Sequence, residues 1–186
     1  KKVSLNKSCK VKVTSLARDL KKASHIILPG VGSYNNVINQ LKKRELFDAL
    51  QEQILSLNKY YLGICVGMQI LSTLGFENGK SSGLNFISGE TTKIKVKKKR
   101  LPNMGWHQIN KKKDSNLFKN IDDDDTFYFL HSYEFRSKNI EHVSSTINYE
   151  EEIVSSVESK NIYGVQFHPE KSQISGIKII TNFINL

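Results

Sequence analysis

Hydrophobic positions along the chain fall into two regimes. His25-Ile26-Ile27-Leu28 and Tyr60 to Ile64 are short apolar runs, suited to buried strands. Between them Val37, Ile38, Leu41, Leu46, Leu50, Ile54 and Leu57 keep roughly helical spacing and predict a helix over 34–57. A further helix is predicted to start at Met68 and run to Leu74. Strand, helix, strand, helix in that order predicts an α/β fold with a mostly parallel central sheet flanked by helices. Upstream, Lys10-Val11-Lys12-Val13-Thr14 alternates as a strand does, and residues 16–23 suit a short helix.

Beyond residue 82 the character changes. Thr91 to Val96, Trp106 to Ile109 and Thr126 to Leu130 read as strands, with turns at Pro102-Asn103, 110–114 and 121–125. Val143 to Thr146 and Ile153 to Val157 continue the pattern, which predicts antiparallel strands added to the parallel core. A final strand is expected over 162–167 and a closing helix over 176–186. No repeat, low-complexity tract or linker interrupts the 186 residues, so a single domain is expected.

Composition narrows the partners. The chain is 38% hydrophobic and 25% charged, ordinary for a globular protein, and no apolar run approaches the roughly 20 residues of a membrane span. It opens with Lys-Lys-Val-Ser, unlike a secretory leader. Cys9 and Cys65 make neither a disulfide framework nor a metal cluster, which suggests a reducing, cytoplasmic setting. The net charge of +10 comes from short basic runs at 42–44, 97–100 and 111–113, and an acidic run spans 122–125. With no zinc-finger spacing and no aromatic-basic motif, these runs read as solvated faces rather than a nucleic-acid surface. A basic face also suits an acidic partner or an anionic substrate.

The candidate chemistry begins at Gly63-Ile64-Cys65-Val66-Gly67. G-x-C-x-G between a strand and a helix is the spacing of a nucleophile elbow, with sulfur in place of the usual hydroxyl. Glycines permit the sharp turn, and a helix N-terminus favours the thiolate that a cysteine nucleophile needs. The turn Pro29-Gly30-Val31-Gly32 is able to wrap backbone amides around an oxyanion. At the end of the last strand stands His168-Pro169-Glu170. In an extended segment residues two apart share a face, so His168 and Glu170 point the same way. A histidine beside a cysteine takes its proton, and a carboxylate behind it fixes the tautomer.

Taken together, LPGVG (28–32), GICVGMQIL (63–71), LPNMGWHQI (101–109), FYFLHSYEF (127–135) and GVQFHPEKS (164–172) give the chain its likeness. It resembles class I glutamine amidotransferases, in particular the glutaminase subunits of imidazole glycerol phosphate synthase. The resemblance implies the following roles. Cys65 attacks the carboxamide of glutamine, His168 carries the proton and then activates water, and Glu170 orients His168. Backbone amides of Gly30, Val31, Gly32 and Val66 form the oxyanion hole, worth about 3–4 kcal/mol per donor in other hydrolases. Gln69 and Glu77 hold the amino-acid end of the substrate, and His131, Ser132 and Tyr133 add contacts to it. No cofactor and no metal are implied.

The ammonia goes to a synthase, for this family a (βα)8-barrel cyclase of histidine biosynthesis in a heterodimer. Two alternatives stay open: a glutaminase serving a sugar amidotransferase of surface-polysaccharide synthesis, and a non-catalytic binding module of the same fold. His107 in GWHQI, where the family usually has asparagine, keeps the first of these open. Such proteins begin with a strand and a D-Y-G-x-G-N segment that this sequence lacks, so the single domain over 1–186 is expected to be truncated at its N-terminus. His25, His107 and His131 are expected to be packed, structural residues, and Trp106 to lie in the core. Cys9 receives no role.

Overall fold

In the computed structural model, which describes residues 9–186, the elements follow in order. They are α1 (Ala17–Leu20), β1 (His25–Gly30), α2 (Tyr34–Lys43), α3 (Leu46–Gln51), β2 (Tyr60–Cys65), α4 (Val66–Gln69), β3 (Leu74–Gly75), β4 (Ser81–Ser82) and β5 (Gly89–Lys93). There follow β6 (Asn103–Gln108), β7 (Asn110–Lys111), β8 (Thr126–His131), β9 (Tyr133–Ser137), β10 (Val143–Tyr149), β11 (Glu151–Ser159), β12 (Ile162–Val165) and α5 (Gln173–Ile184). The main sheet runs β1-β2-β12-β11-β10-β7. Its first three strands are parallel, with Gly30 opposite Cys65 and Val165 opposite Ile64. Its other pairings are antiparallel. A second sheet, β4-β3-β5-β9, and the antiparallel pair β6/β8 stand beside it.

This is the α/β architecture with added antiparallel strands that the sequence predicts, but the main sheet is mixed rather than mostly parallel, because the antiparallel strands β11, β10 and β7 extend it directly. The parallel register brings the C-terminal ends of β1, β2 and β12 to one rim, where ligands sit in open α/β sheets. The core behind that rim holds Leu62, Met68, Phe127, Phe129 and Phe167, all fully buried. Phe167 packs against Phe127 at 4.3 Å between ring centroids and against Phe129 at 5.7 Å, which anchors the chain just before His168.

Several local expectations are corrected. Lys10 to Thr14 is exposed and forms no strand; alternation alone buries nothing, and Val11 and Val13 lie against solvent. Pro29 and Gly30 belong to β1, and the turn starts only at Val31. An edge strand, as β1 is among the described residues, tolerates the proline that cannot donate to a ladder. The helix over 34–57 is broken at Glu45, whose φ is 58°, and ends in a π-helical turn at Glu52–Ser56. The helix expected from Met68 to Leu74 is instead the single turn α4, because Leu74 already pairs in the second sheet. The last strand ends at Val165, and α5 starts at Gln173 rather than Gly176. Trp106 is 45% exposed, set edge-on to Tyr128 rather than in the core. The truncation expected at the N-terminus falls before Cys9, outside the described residues.

Candidate active site

Cys65 is the last residue of β2 and precedes α4, with φ 54° and ψ −110°. A non-glycine residue at positive φ outside the usual wells is strained, and such strain collects at functional sites. The glycines on either side permit it by close approach: a Cβ on Gly63 would run into the Gly67 carbonyl, and one on Gly67 into the Leu28 carbonyl. The Tyr61 hydroxyl donates to the Gly67 carbonyl at 3.1 Å and fixes the turn from inside. Because α4 is one turn long, the dipole available to Cys65 is smaller than a full helix would supply.

His168 arrives from β12. Its backbone N–H donates to the Tyr128 carbonyl at 2.9 Å, and its own carbonyl accepts from the Ser172 hydroxyl at 2.7 Å. Glu170 reaches it by a different route from the one predicted. Pro169–Lys171 form a 3₁₀ turn rather than extended chain, and the turn brings Glu170 Oε1 to 2.7 Å from His168 Nδ1. Nε2 is thereby left for the Cys65 sulfur. Burial disfavours the imidazolium, but the hydrogen bonds and charges of Cys65 and Glu170 outweigh it and push His168 up to about 9. His168 therefore holds its proton at neutral pH. Burial alone would raise the Glu170 carboxyl, yet its bond to His168 brings it below its ordinary value.

A cavity of about 290 Å³ opens over Cys65. Gly30, Val31, Gly32 and Val66 line it on one side, and Gln69, Glu77, His131, Ser132, Tyr133 and His168 line the others. The structure thus brings together at one cavity every candidate residue of the sequence except Glu170, which reaches it through His168. Glu77 has a second attachment: its Oε2 accepts the Tyr34 N–H at 2.7 Å and so caps α2. Pro102, Leu130 and Lys171 also line the cavity. A larger cavity, about 720 Å³, lies at the other end of β2 around Tyr60, Lys160 and Asn182, with no cysteine, histidine or acidic side chain in its lining. Volume alone does not mark the site; the nucleophile does.

The histidines behave as packed residues, with more order than the sequence discloses. His131 Nδ1 donates to the Tyr133 carbonyl at 2.8 Å, so its Nε2 accepts from Asn103 Nδ2 at 3.0 Å. Asn103 Oδ1 in turn accepts from His107 Nε2 at 2.8 Å. Burial, with the nearby His107 and His168 and against the bond to Tyr133, lowers His131 to about 4 and keeps it neutral. Burial lowers His25 and His107 as well. Asn103 and Gln166 lie in two of the motifs but stand apart from the candidate residues above. Gln166 is fully buried with its Nε2 3.6 Å from the Cys65 sulfur. Its only advance signal is an amide in a strand otherwise apolar. Among the described residues no group of three or more His, Cys, Asp or Glu is arranged to hold a metal ion, and no helix is long and apolar enough to cross a membrane.

The likeness to known proteins agrees with this geometry. The family described as glutamine amidotransferase class-I matches residues 2–186. Among curated relatives, the imidazole glycerol phosphate synthase subunit HisH of Pelagibacter ubique is 41% identical over 179 residues, 95% of this chain and 86% of the relative. HisH of Pyrococcus furiosus is 37% identical, covering 98% of this chain and 92% of that one. A crystal structure of a glutamine amidotransferase superposes with a TM-score of 0.74 over 95% of this chain and 86% of that one, at 13% identity, which speaks for the fold alone. With its elbow, its His-Glu pair and its matched length in hand, the chain belongs to the class I glutamine amidotransferases.

Proposed function

We propose that the chain is the glutaminase subunit of an imidazole glycerol phosphate synthase: it hydrolyses glutamine to glutamate and ammonia and passes the ammonia to a cyclase subunit. The observation that carries the reading is the meeting of Cys65 and His168, with Glu170 behind the histidine, at a cavity lined also by Gln69, Glu77 and residues 131–133. The HisH relatives support the choice of acceptor.

The residues suit the chemistry step by step. The Cys65 thiolate attacks the side-chain carboxamide carbon of glutamine, and the carbonyl oxygen takes up the negative charge. Amides at 30–32 and Val66, which line that side of the cavity, stabilise it. Protonated His168 gives its proton to the amine as the C–N bond breaks, leaving a glutamyl thioester and ammonia. Neutral His168 then takes a proton from water, hydroxide adds to the thioester, and collapse returns the thiolate and releases glutamate. Glu170, bonded to Nδ1, keeps Nε2 aimed at the sulfur through both steps. Glu77 offers a carboxylate oxygen to the substrate ammonium and Gln69 a carbonyl oxygen.

Ammonia released into water is protonated and lost, so a synthase seated over the cavity mouth is needed. Exposed apolar residues suit such a partner: Val31 at the cavity, and Met104 and Trp106 on the strand packed against Tyr128. The test is glutamate release from glutamine by wild type and Cys65→Ala, with and without the cyclase subunit and its nucleotide. Turnover that needs Cys65 and rises with the cyclase is expected. Turnover indifferent to the cyclase would overturn the choice of acceptor, and turnover that survives Cys65→Ala would overturn the mechanism.

A further inference from the structure

We infer that Gln166 belongs to the catalytic machinery: its side-chain amide donates to the Cys65 sulfur and ties the nucleophile to the substrate-binding wall through Gln69. Only the consequence for turnover rests on the glutaminase reading; the bond to the sulfur does not.

The argument starts from which way each amide faces. The Tyr133 carbonyl is an acceptor only, and Gln69 Nε2 lies 3.0 Å from it. Gln69 must therefore present its NH₂ there, since its own oxygen would face another oxygen. The second hydrogen of that NH₂ is directed to Gln166 Oε1, also at 3.0 Å. With its oxygen so engaged, Gln166 has only its NH₂ left for the sulfur, at 3.6 Å. Both amides are thus fixed without reference to the chemistry they serve. Gln166 is fully buried and Gln69 3% exposed, so water does not compete for these bonds.

Two consequences follow. The sulfur has beside it an amide donor that never loses its proton. A thiolate gains from that donor more than a thiol does, because hydrogen bonds to a charged acceptor are roughly twice as strong. Gln69 meanwhile has spent both its hydrogens, leaving Oε1 as its free polar atom at the cavity, an acceptor suited to the substrate ammonium. The orientation extends outward as well, since the Tyr133 carbonyl also accepts from His131, which is held by Asn103 and His107. One chain of donors and acceptors runs from β6 to the nucleophile.

The test reads the sulfur directly. In a Cys9→Ser background, which removes the exposed cysteine, the rate of Cys65 alkylation by iodoacetamide is followed against pH. Gln166→Glu keeps the size and the bond from Gln69 but replaces the donor with a carboxylate. Gln166→Met keeps the volume and removes both bonds. The alkylation midpoint is expected to move to higher pH in both, with the rate near pH 7 falling about tenfold or more in Gln166→Glu. Profiles that overlay the parent in variants with native unfolding temperature would overturn the inference. Should either substitution unfold the chain, the parent decides: the Gln166 side-chain amide resonance must shift with the alkylation midpoint, and a resonance that ignores it would overturn the inference equally. A moved profile in a chain that hydrolyses no glutamine would leave this inference standing and remove the proposed function instead.

Discussion

Replacing Glu170 by glutamine removes one charge and little else. The new side chain still offers an oxygen to His168 Nδ1, so the ring keeps its aim and loses only the charge-assisted part of a 2.7 Å bond. A hydrogen bond to a charged group contributes about 1.5–3 kcal/mol. Because the Glu170 side chain is 55% exposed, solvent screening reduces that by about half, to roughly 0.75–1.5 kcal/mol. At about 1.4 kcal/mol per tenfold, kcat for glutamine hydrolysis should fall roughly four- to tenfold. KM should hardly change, since Glu170 stands behind His168 and does not line the cavity. The pH profile gives the sharper reading. His168 must be protonated to expel ammonia, and its raised value of about 9 places the loss of activity on the alkaline side. Without the carboxylate the imidazolium is less stabilised, so that limb should move down by about one unit. Steady-state glutamate release across the pH range checks both. An unmoved alkaline limb with unchanged kcat would refute the role given to Glu170, and a loss as complete as that of Cys65→Ala would refute its magnitude.

Three further outcomes are expected. Gly164→Ala places a Cβ 2.8 Å from Met68 Cγ and 3.0 Å from both Leu71 Cδ1 and Val157 Cγ2, behind the elbow. Overpacking of this kind costs about 1–3 kcal/mol, read as a drop of several degrees in Tm. Asn103→Leu leaves His131 Nε2 without its donor and His107 Nε2 without its acceptor. It should raise KM for glutamine several-fold more than it lowers kcat, as a wall residue rather than a reacting one would. His131, lowered to about 4, contributes stability that is fully present above its unfolded value of about 6.5 and is lost as pH falls from there towards 4. That contribution is roughly 3 kcal/mol at most, and a His131→Gln variant should show a flatter dependence of unfolding free energy on pH across that window.

Much of this is legible in the sequence, and the rest is not, for identifiable reasons. Apolar runs mark β1 and β2 because both pair in the parallel part of the sheet, β2 buried along nearly its whole length and β1 at Ile26 and Gly30, and G-x-C-x-G marks the junction because only glycines fit there. The length of α4 was illegible: helical spacing over 68–74 is local, while the pairing of Leu74 with Ser82 and Glu90 that ends it is not. Lys10 to Thr14 failed for the opposite reason, a local alternation with no sheet to receive it among the described residues. Strand alternation predicts the contact of His168 with Glu170, but a 3₁₀ turn makes it, so the pairing holds on a different geometry. Gln166 and Asn103 were unreadable because an amide's value lies in which way it faces, and that is set by residues up to about a hundred positions away.

The elbow itself yields a last test, which separates its strain from its chemistry. Cys65 holds φ 54° and ψ −110°, a conformation costing an L-residue about 1–3 kcal/mol. It cannot relax, because Gly63, Gly67 and Gly30 are packed against one another's backbone and the Tyr61 hydroxyl grips Gly67. Cys65→Ala and Cys65→Gly both delete the nucleophile and should be equally inactive. They differ in strain: glycine adopts the conformation freely, whereas alanine still carries a Cβ. Glycine gives back about 0.5–1 kcal/mol through the greater entropy of its unfolded chain. The balance leaves Cys65→Gly more stable by about 1 kcal/mol, a difference of roughly 2–4 °C in Tm for a chain of this length. If Cys65→Ala unfolds at the higher temperature, the elbow is not strained, and the nucleophile is held by the sulfur's own hydrogen bonds instead.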